Sequence, residues 1–291
     1  MKIGWIGAGI LGSAVLKKIS NELEVYCWNR SIAKVDDLTH YGVSKVDSLE
    51  ELATKSNIIF LCIKGEDSYK DILFNDKKGI ANFLSENTII VDLSTISPKK
   101  SMYLKQKLSE YNLKYVECPV SGGPEKAIQG NLTAIMSGDP VDINIAKMVV
   151  GKFCSQIHYV GDIGKGQLIK LINNLAESIN LLAAAEVINI GLYCGIDLKT
   201  LNKVLPTTRG YSVYMGVLLD RLINPSENIS ASLDVRLKDI ELANQLAKDN
   251  NLSAPLGTLT QKLFEFAQET YGPNRDQTEC MKLYNVNFKG D

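Results

Sequence analysis

Histidine is almost missing from this sequence: among 291 residues only His40 and His158 occur. His40 falls in a helical pattern far from any motif, and His158 sits inside a β-rich run, so each reads as structural. The six cysteines, Cys27, Cys62, Cys118, Cys154, Cys194 and Cys280, form no Cys-x-x-Cys pair. Zinc-dependent chemistry is therefore not expected and no metal is assigned. The scattered cysteines read as buried free thiols in a reducing, cytoplasmic setting rather than as a disulfide framework. An excess of one charge is also lacking. Lys and Arg number 32 against 33 Asp and Glu, for a net charge of −1, which gives no global attraction to nucleic acid or acidic lipid. There is no internal repeat and no low-complexity segment. The N-terminal apolar run is broken by Gly4 and Gly7 too early for a signal peptide. The longest apolar stretch, 168–193, carries Lys170, Asn173, Asn174, Glu177, Asn180, Glu186 and Asn189, which argues against a membrane span.

What is present has an ordered texture. Up to about residue 160, short β-rich runs at 2–6, 24–28, 58–63, 88–92, 114–118, 132–137 and 156–160 alternate with helical patterns such as 97–111, where Pro98 suits a first turn. Such alternation implies a largely parallel sheet with helices on both faces. Beyond the run Gly161-Asp162-Ile163-Gly164-Lys165-Gly166 the pattern turns helical, with a long helix stopping near Gly195 and further helices at 197–205, 232–249 and 255–271. The expected fold is α/β: a doubly wound, mostly parallel N-terminal domain (1–162) joined through a long interdomain helix to an all-α domain (163–291).

Gly7-Ala8-Gly9-Ile10-Leu11-Gly12 fits Gly-x-Gly-x-x-Gly, and its setting between strand 2–6 and a helical run makes it a Rossmann dinucleotide fingerprint. Gly7 permits the tight turn, Gly9 lets the backbone approach a pyrophosphate, and Gly12 lets helix and strand pack closely. The helix N-terminus then faces the phosphates. At the end of the next strand, where an NAD-specific site places an acid for the ribose hydroxyls, stand Asn29, Arg30 and Ser31. A guanidinium and a hydroxyl suit a 2′-phosphate, so NADP(H) is expected over NAD(H).

Four more segments fall at strand ends or at the expected domain junction: Asp92-Leu93-Ser94-Thr95-Ile96-Ser97-Pro98, Pro119-Val120-Ser121-Gly122-Gly123, the glycine run 161–166, and Lys170-Leu171-Ile172-Asn173-Asn174. With the fingerprint, and ending on Leu237-Lys238-Asp239-Ile240-Glu241-Leu242-Ala243, this ordered set resembles the β-hydroxyacid dehydrogenase family along essentially the whole chain. That family includes 3-hydroxyisobutyrate dehydrogenases, tartronate semialdehyde reductases and glyoxylate/succinic semialdehyde reductases. The resemblance implies that Ser94 and Thr95 lie along the nicotinamide, and that Ser121, Gly122 and Gly123 bind a substrate carboxylate. It also implies that Lys170 is the catalytic lysine, Asn174 the substrate-orienting asparagine, and Lys238 a cofactor contact from the helical domain. Cys62, Ile63 and Lys64 are expected to border the cofactor, although many relatives have Leu-Pro there. Glu117-Cys118 likewise stands where Asp-Ala is commoner.

Helical spacing supports part of this independently, because Lys170 and Asn174 at i and i+4 share one helix face. The expected activity is hydride transfer between NADP(H) and a small carboxylate-bearing aldehyde, keto acid or hydroxy acid, with Lys170 as general acid and base. An imine reductase on the same fold commonly has Asp or Tyr in place of the helix lysine. A non-catalytic NADP-binding protein would be expected to have lost Lys170, Asn174 or Ser121. A homodimer or homotetramer is expected from the resemblance and the apolar long helix.

Overall fold

A parallel sheet buried on both faces organises the first half of the molecule. The computed structural model describes residues 1–284. Its first elements are β1 (Lys2–Ile6), α1 (Ile10–Ile19), β2 (Glu24–Trp28), α2 (Ala33–Thr39), β3 (Ser44–Lys45), α3 (Leu49–Lys55), β4 (Ile58–Leu61) and α4 (Ser68–Phe74). They are followed by β5 (Ile89–Asp92), α5 (Pro98–Ser109) and β6 (Lys114–Glu117). The six strands form one all-parallel sheet in the order β3-β2-β1-β4-β5-β6. Alternate residues feed opposite faces. Ile3, Trp5, Val25, Cys27, Ile58, Phe60, Ile89, Val91 and Val116 enter one core, and Ile6, Ile59, Leu61, Ile90 and Tyr115 enter the other. Two covered faces are what a parallel sheet requires, and they explain why these strands read as nearly continuous apolar runs.

The chain then departs from the single sheet that the alternation predicts. β7 (Val120–Ser121), α6 (Gly123–Gln129), β8 (Leu132–Met136), α7 (Pro140–Val150) and β9 (Cys154–Tyr159) follow. They make a separate three-stranded sheet, β7-β8-β9, in which β7 runs antiparallel to β8. β3 and β7, at two residues each, are too short to give a periodic signal.

From α8 (Lys165–Tyr193) onward the chain is helical: α9 (Leu198–Val204), α10 (Val213–Ile223), α11 (Leu233–Asp249) and α12 (Pro255–Tyr271). These helices enclose a core of their own that includes Leu181, Ala185, Ile188, Leu218, Leu233, Ile240 and Phe264. The chain divides into two compact units at Lys170/Leu171, inside α8. By length and composition α8 could cross a membrane, yet its polar residues Asn174 and Glu177 are bonded to α11. The cysteines are all free. Cys27, Cys118, Cys154 and Cys280 are buried as expected, whereas Cys194, just past α8, is exposed.

One buried carboxylate fixes where α8 begins. Glu117, fully buried at the end of β6, accepts the Gly164 amide through Oε1 at 2.7 Å and the Gly166 amide through Oε2 at 3.1 Å, and Ser137 Oγ also donates to Oε2. These amides lie at a helix N-terminus, where N–H groups need acceptors from outside the helix and negative charge is favourable; the Gly166 amide also donates to Ser137 Oγ at 3.3 Å. A Cβ on Gly166 would come within 2.9 Å of Glu117 Oε2, and Gly161 and Gly164 have φ near +100°. The glycine run 161–166, placed by the resemblance among the ligand-binding segments, is thus built to fold onto a carboxylate of the protein itself. Replacing Glu117 with Ala removes the acceptor of the buried Gly164 amide and leaves the Gly166 amide with the longer bond to Ser137 Oγ; a buried N–H left without an acceptor costs about 1–3 kcal/mol. Glu117→Ala should therefore unfold at markedly lower urea concentration than wild type, and Glu117→Gln, which keeps one oxygen, should fall between them.

Candidate active site

The C-terminal ends of β1, β2, β4 and β5 lie side by side at one edge of the parallel sheet, the edge at which open α/β sheets bind ligands. The turn after β1 is locked from several sides. Trp5, stacked on Phe60 at 5.6 Å in the core, donates its indole N–H to Gly7 O at 2.9 Å. Gly7 has φ +107°, and a Cβ there would collide with the Cys62 carbonyl, while one on Gly12 would collide with Gly7 O. These two glycines are demanded by the protein's own packing. Gly9 is different, because a Cβ there meets nothing within 4 Å. It is also the N-cap of α1, offers no side-chain cap, and is followed by no acid in the first turn. Open space over an uncapped helix N-terminus fits the pyrophosphate of a dinucleotide, so the residues present accommodate the cofactor that the fold implies.

At the end of β2, Asn29 is structural. Its Oδ1 accepts the Ala8 amide at 2.9 Å and its Nδ2 donates to Ser31 O at 2.8 Å, bridging the two turns. Arg30 is exposed and donates to Ser68 Oγ at 3.3 Å. Lys34, not singled out in the sequence, lines a surface cleft with Ala8, Gly9, Ile10 and Ser13. Its position in the first turn of α2, just after Arg30 and Ser31, is the signal that could have found it.

The loops after β4 and β5 are braced on each other. Ser94 is buried, its Oγ accepts the Ile63 amide at 3.0 Å, and its own amide donates to Asp92 Oδ1 at 2.9 Å. Its side chain is spent inside the protein, and the neighbouring Thr95 is the more open of the pair. Asp92 is fully buried, and its Oδ2 accepts the hydroxyls of Tyr69 at 2.6 Å and Tyr115 at 3.0 Å. Burial raises the Asp92 carboxyl above its ordinary value, against the lowering effect of these hydrogen bonds. The segment 64–68, after Ile63, is held by Glu66 accepting the Ser97 amide at 2.5 Å and by Ser68 Oγ donating to Lys64 O at 3.2 Å. Burial, with the nearby Asp92 charge, pushes the Cys62 thiol up to about 12, so it stays neutral near pH 7 and is no nucleophile.

Ser121 closes β7, and Gly122 (φ +132°) and Gly123 (φ +75°) make the turn into α6 in a backbone region L side chains rarely adopt. Lys170 is buried in the second turn of α8. In the helical unit, Asp239 bridges the other two predicted residues: Asn174 Nδ2 donates to its Oδ2 at 2.6 Å, and Lys238 Nζ lies 2.8 Å from its Oδ1. Asn173 donates to Glu177 Oε1 at 2.8 Å, and Glu177 pairs with the buried Arg236 at 3.0 Å. Arg236 carried no sequence signal beyond its position two residues before Lys238.

The glycines separate packing from binding. Gly12→Ala should lower the melting temperature. Gly9→Ala should leave it within a degree or two while weakening NADPH binding at least tenfold by fluorescence titration, because its methyl group occupies open space that only a ligand would fill.

Comparisons with known proteins give the family. Residues 2–161 match the family model for the NAD binding domain of 6-phosphogluconate dehydrogenase, and 164–284 match that for the NAD-binding of NADP-dependent 3-hydroxyisobutyrate dehydrogenase. The 2-hydroxy-3-oxopropionate reductase of Escherichia coli (strain K12) is 27% identical, with 98% of each chain covered. The 2-(hydroxymethyl)glutarate dehydrogenase of Eubacterium barkeri is 26% identical over 98% of this chain and 95% of the relative. Among solved structures, Psf3 in complex with NADP+ and 2-OPP superposes with a TM-score of 0.92 at 36% identity, covering 97% of this chain and 99% of that one. The chain belongs to the β-hydroxyacid dehydrogenase family of nicotinamide-dependent oxidoreductases.

Proposed function

We propose that this protein is an NADPH-preferring reductase of small carboxylate-bearing aldehydes and keto acids, able to oxidise the matching hydroxy acids in reverse, with Lys170 as the proton donor and acceptor. The observation that carries this reading is Lys170 itself, a lysine only 8% exposed on α8. It stands on the same helix face as Asn174, one turn before it. When bound, NADPH supplies the hydride that reaches the carbonyl carbon. Thr95 borders the nicotinamide half of the cofactor, as do the backbones of Cys62, Ile63, Lys64 and Ser94, while Lys238 contacts the cofactor from the helical unit. Ser121, with the amides of Gly122 and Gly123, takes the substrate carboxylate, since two left-handed glycines present backbone N–H groups to an anion. Asn174, held by Asp239, orients the carbonyl. The Lys170 ammonium gives its proton to the carbonyl oxygen as negative charge develops there, and takes it back during oxidation.

NADP(H) preference is supported by the end of β2, where Arg30, Ser31 and Lys34 stand and no carboxylate does before Asp36. A charged hydrogen bond to phosphate contributes about 1.5–3 kcal/mol, hence a preference for NADPH over NADH of roughly ten- to a hundredfold in kcat/KM. Arg30→Ala should remove most of that preference by raising KM for NADPH and should leave the NADH rate nearly unchanged. Asn29 is better left in place, since Asp there loses the donor to Ser31 O. Equal kcat/KM for the two cofactors in wild type would refute the assignment.

A homo-oligomer is part of the proposal. Ile172, Ala176, Ala183, Val187, Ile190 and Tyr193 recur every three, four or seven residues along α8 and are all exposed, an apolar stripe of the kind that a second helix covers.

The test of the activity is NADPH oxidation with a panel of glyoxylate, succinic semialdehyde, 2-hydroxy-3-oxopropionate and related acids. At least one should be reduced, and Lys170→Ala should lower its kcat by about 10²–10⁴-fold with NADPH binding retained. Lys170→Arg should also fail, because guanidinium stays protonated. A Lys170→Ala enzyme that keeps more than about a tenth of wild-type kcat, against the 10²-fold that proton transfer should supply, would move the role to another residue.

A further inference from the structure

The first turn of α8 makes a two-point contact that none of the roles above uses. Gln167 is fully buried. Its Oε1 accepts the Ile96 amide at 3.1 Å and its Nε2 donates to Ser94 O at 2.9 Å. The side-chain amide thus pairs with the backbone of the loop after β5 by one acceptor and one donor, which fixes both its rotamer and the orientation of its amide. That loop is itself anchored, through the Ser94 contacts to Ile63 and Asp92 and the Asp92 contacts to Tyr69 and Tyr115. Lys170 follows Gln167 by three residues and so lies nearly one turn further along the same helix face.

Glu117 and Gln167 constrain different freedoms. Glu117 holds the amides at the end of α8, which fixes where the helix starts. Gln167 reaches sideways from the helix to the loop and so resists rotation about the helix axis. A rotation of only about 10° moves a group about 6 Å from the axis by about 1 Å. A displacement of that size in a reacting geometry is enough to cost about a hundredfold in rate.

We propose that Gln167 is a positioning residue: it locks α8 in register with the 94–96 backbone and so holds Lys170 and Thr95 in one fixed relation during proton transfer. This rests on the reading of Lys170 as the proton donor. The residue touches neither substrate nor cofactor in this account, and its effect on rate passes through Lys170.

The test is a double-mutant cycle of Gln167→Met and Lys170→Ala, assayed with the panel acid that wild type reduces fastest. Gln167→Met keeps length and volume but removes both hydrogen bonds. It should lower kcat at least tenfold in the wild-type background and less than threefold in the Lys170→Ala background, with KM for the acid and Kd for NADPH within threefold of wild type. Hydrogen exchange gives a readout independent of turnover: in cofactor-free protein the Ile96 amide should exchange at least tenfold faster in Gln167→Met. If that variant folds poorly, Gln167→Glu, which keeps an oxygen for Ile96 and loses the donor to Ser94, replaces it in the same cycle. Unchanged kcat, or the same loss in both backgrounds, would overturn the proposal while leaving Lys170 as proton donor intact. Lys170→Ala with near wild-type kcat would overturn both, and it is seen without reference to Gln167.

Discussion

A buried carboxylate at the start of a 29-residue helix is the contact on which the rest of the first unit's chemistry depends. Glu117 accepts hydrogen bonds from two backbone amides and a serine hydroxyl. Charge-assisted bonds of this kind are stronger than neutral ones, and they convert the unpaired end of α8 into an attachment to β6. The attachment in turn accounts for the glycines of 161–166: Gly166 must lack a side chain because the carboxylate is there, and Gly161 and Gly164 supply the positive φ of the approach. Once the helix start is fixed, Gln167 can reach the loop after β5 and Lys170 has a defined place.

The same economy runs along the sheet edge. Residues of the motifs divide into those that brace the turns and more exposed ones at the same turns. Asn29, Ser94 and Asp92 are of the first kind: each bonds backbone amides, and together they brace the turns after β1, β2, β4 and β5. Arg30, Thr95 and Gly9 are the more exposed positions of the same turns. A site built this way is pre-organised, because its loops are held by internal bonds rather than by the ligand. In the helical unit Asp239 does similar work, holding the Asn174 amide and the Lys238 ammonium at once.

How much of this was legible in the sequence depended on whether a residue's task is local. Strands β1 and β2 and helix α12 coincide with the expected runs, because each has a sustained pattern and clear punctuation. The glycine fingerprint was legible for the same reason. The second sheet was not, since its antiparallel pairing rests on a two-residue strand and a contact with β8. Buried polar residues were harder still. Glu117 shows in the sequence only as a departure from a commoner acid, and Gln167 carries no signal there beyond preceding Lys170 by nearly one turn. Tyr69 and Tyr115 meet at Asp92 from positions 46 residues apart in the sequence, counting from their numbers, and no spacing rule brings them together. Ser94 and Thr95 are adjacent in the motif, and the burial of Ser94 with its contacts to Ile63 and Asp92 distinguishes them.

Hydride reaching a carbonyl carbon is the step on which the proposed function rests. The most direct measurement is mass spectrometry of the product formed from an acid-bearing aldehyde or keto acid and NADPH deuterated at both C4 positions of its nicotinamide ring. One deuterium on the former carbonyl carbon of the hydroxy acid is the predicted result. NADPH consumed with a deuterium-free product, or no consumption with any acid of the panel, would contradict it.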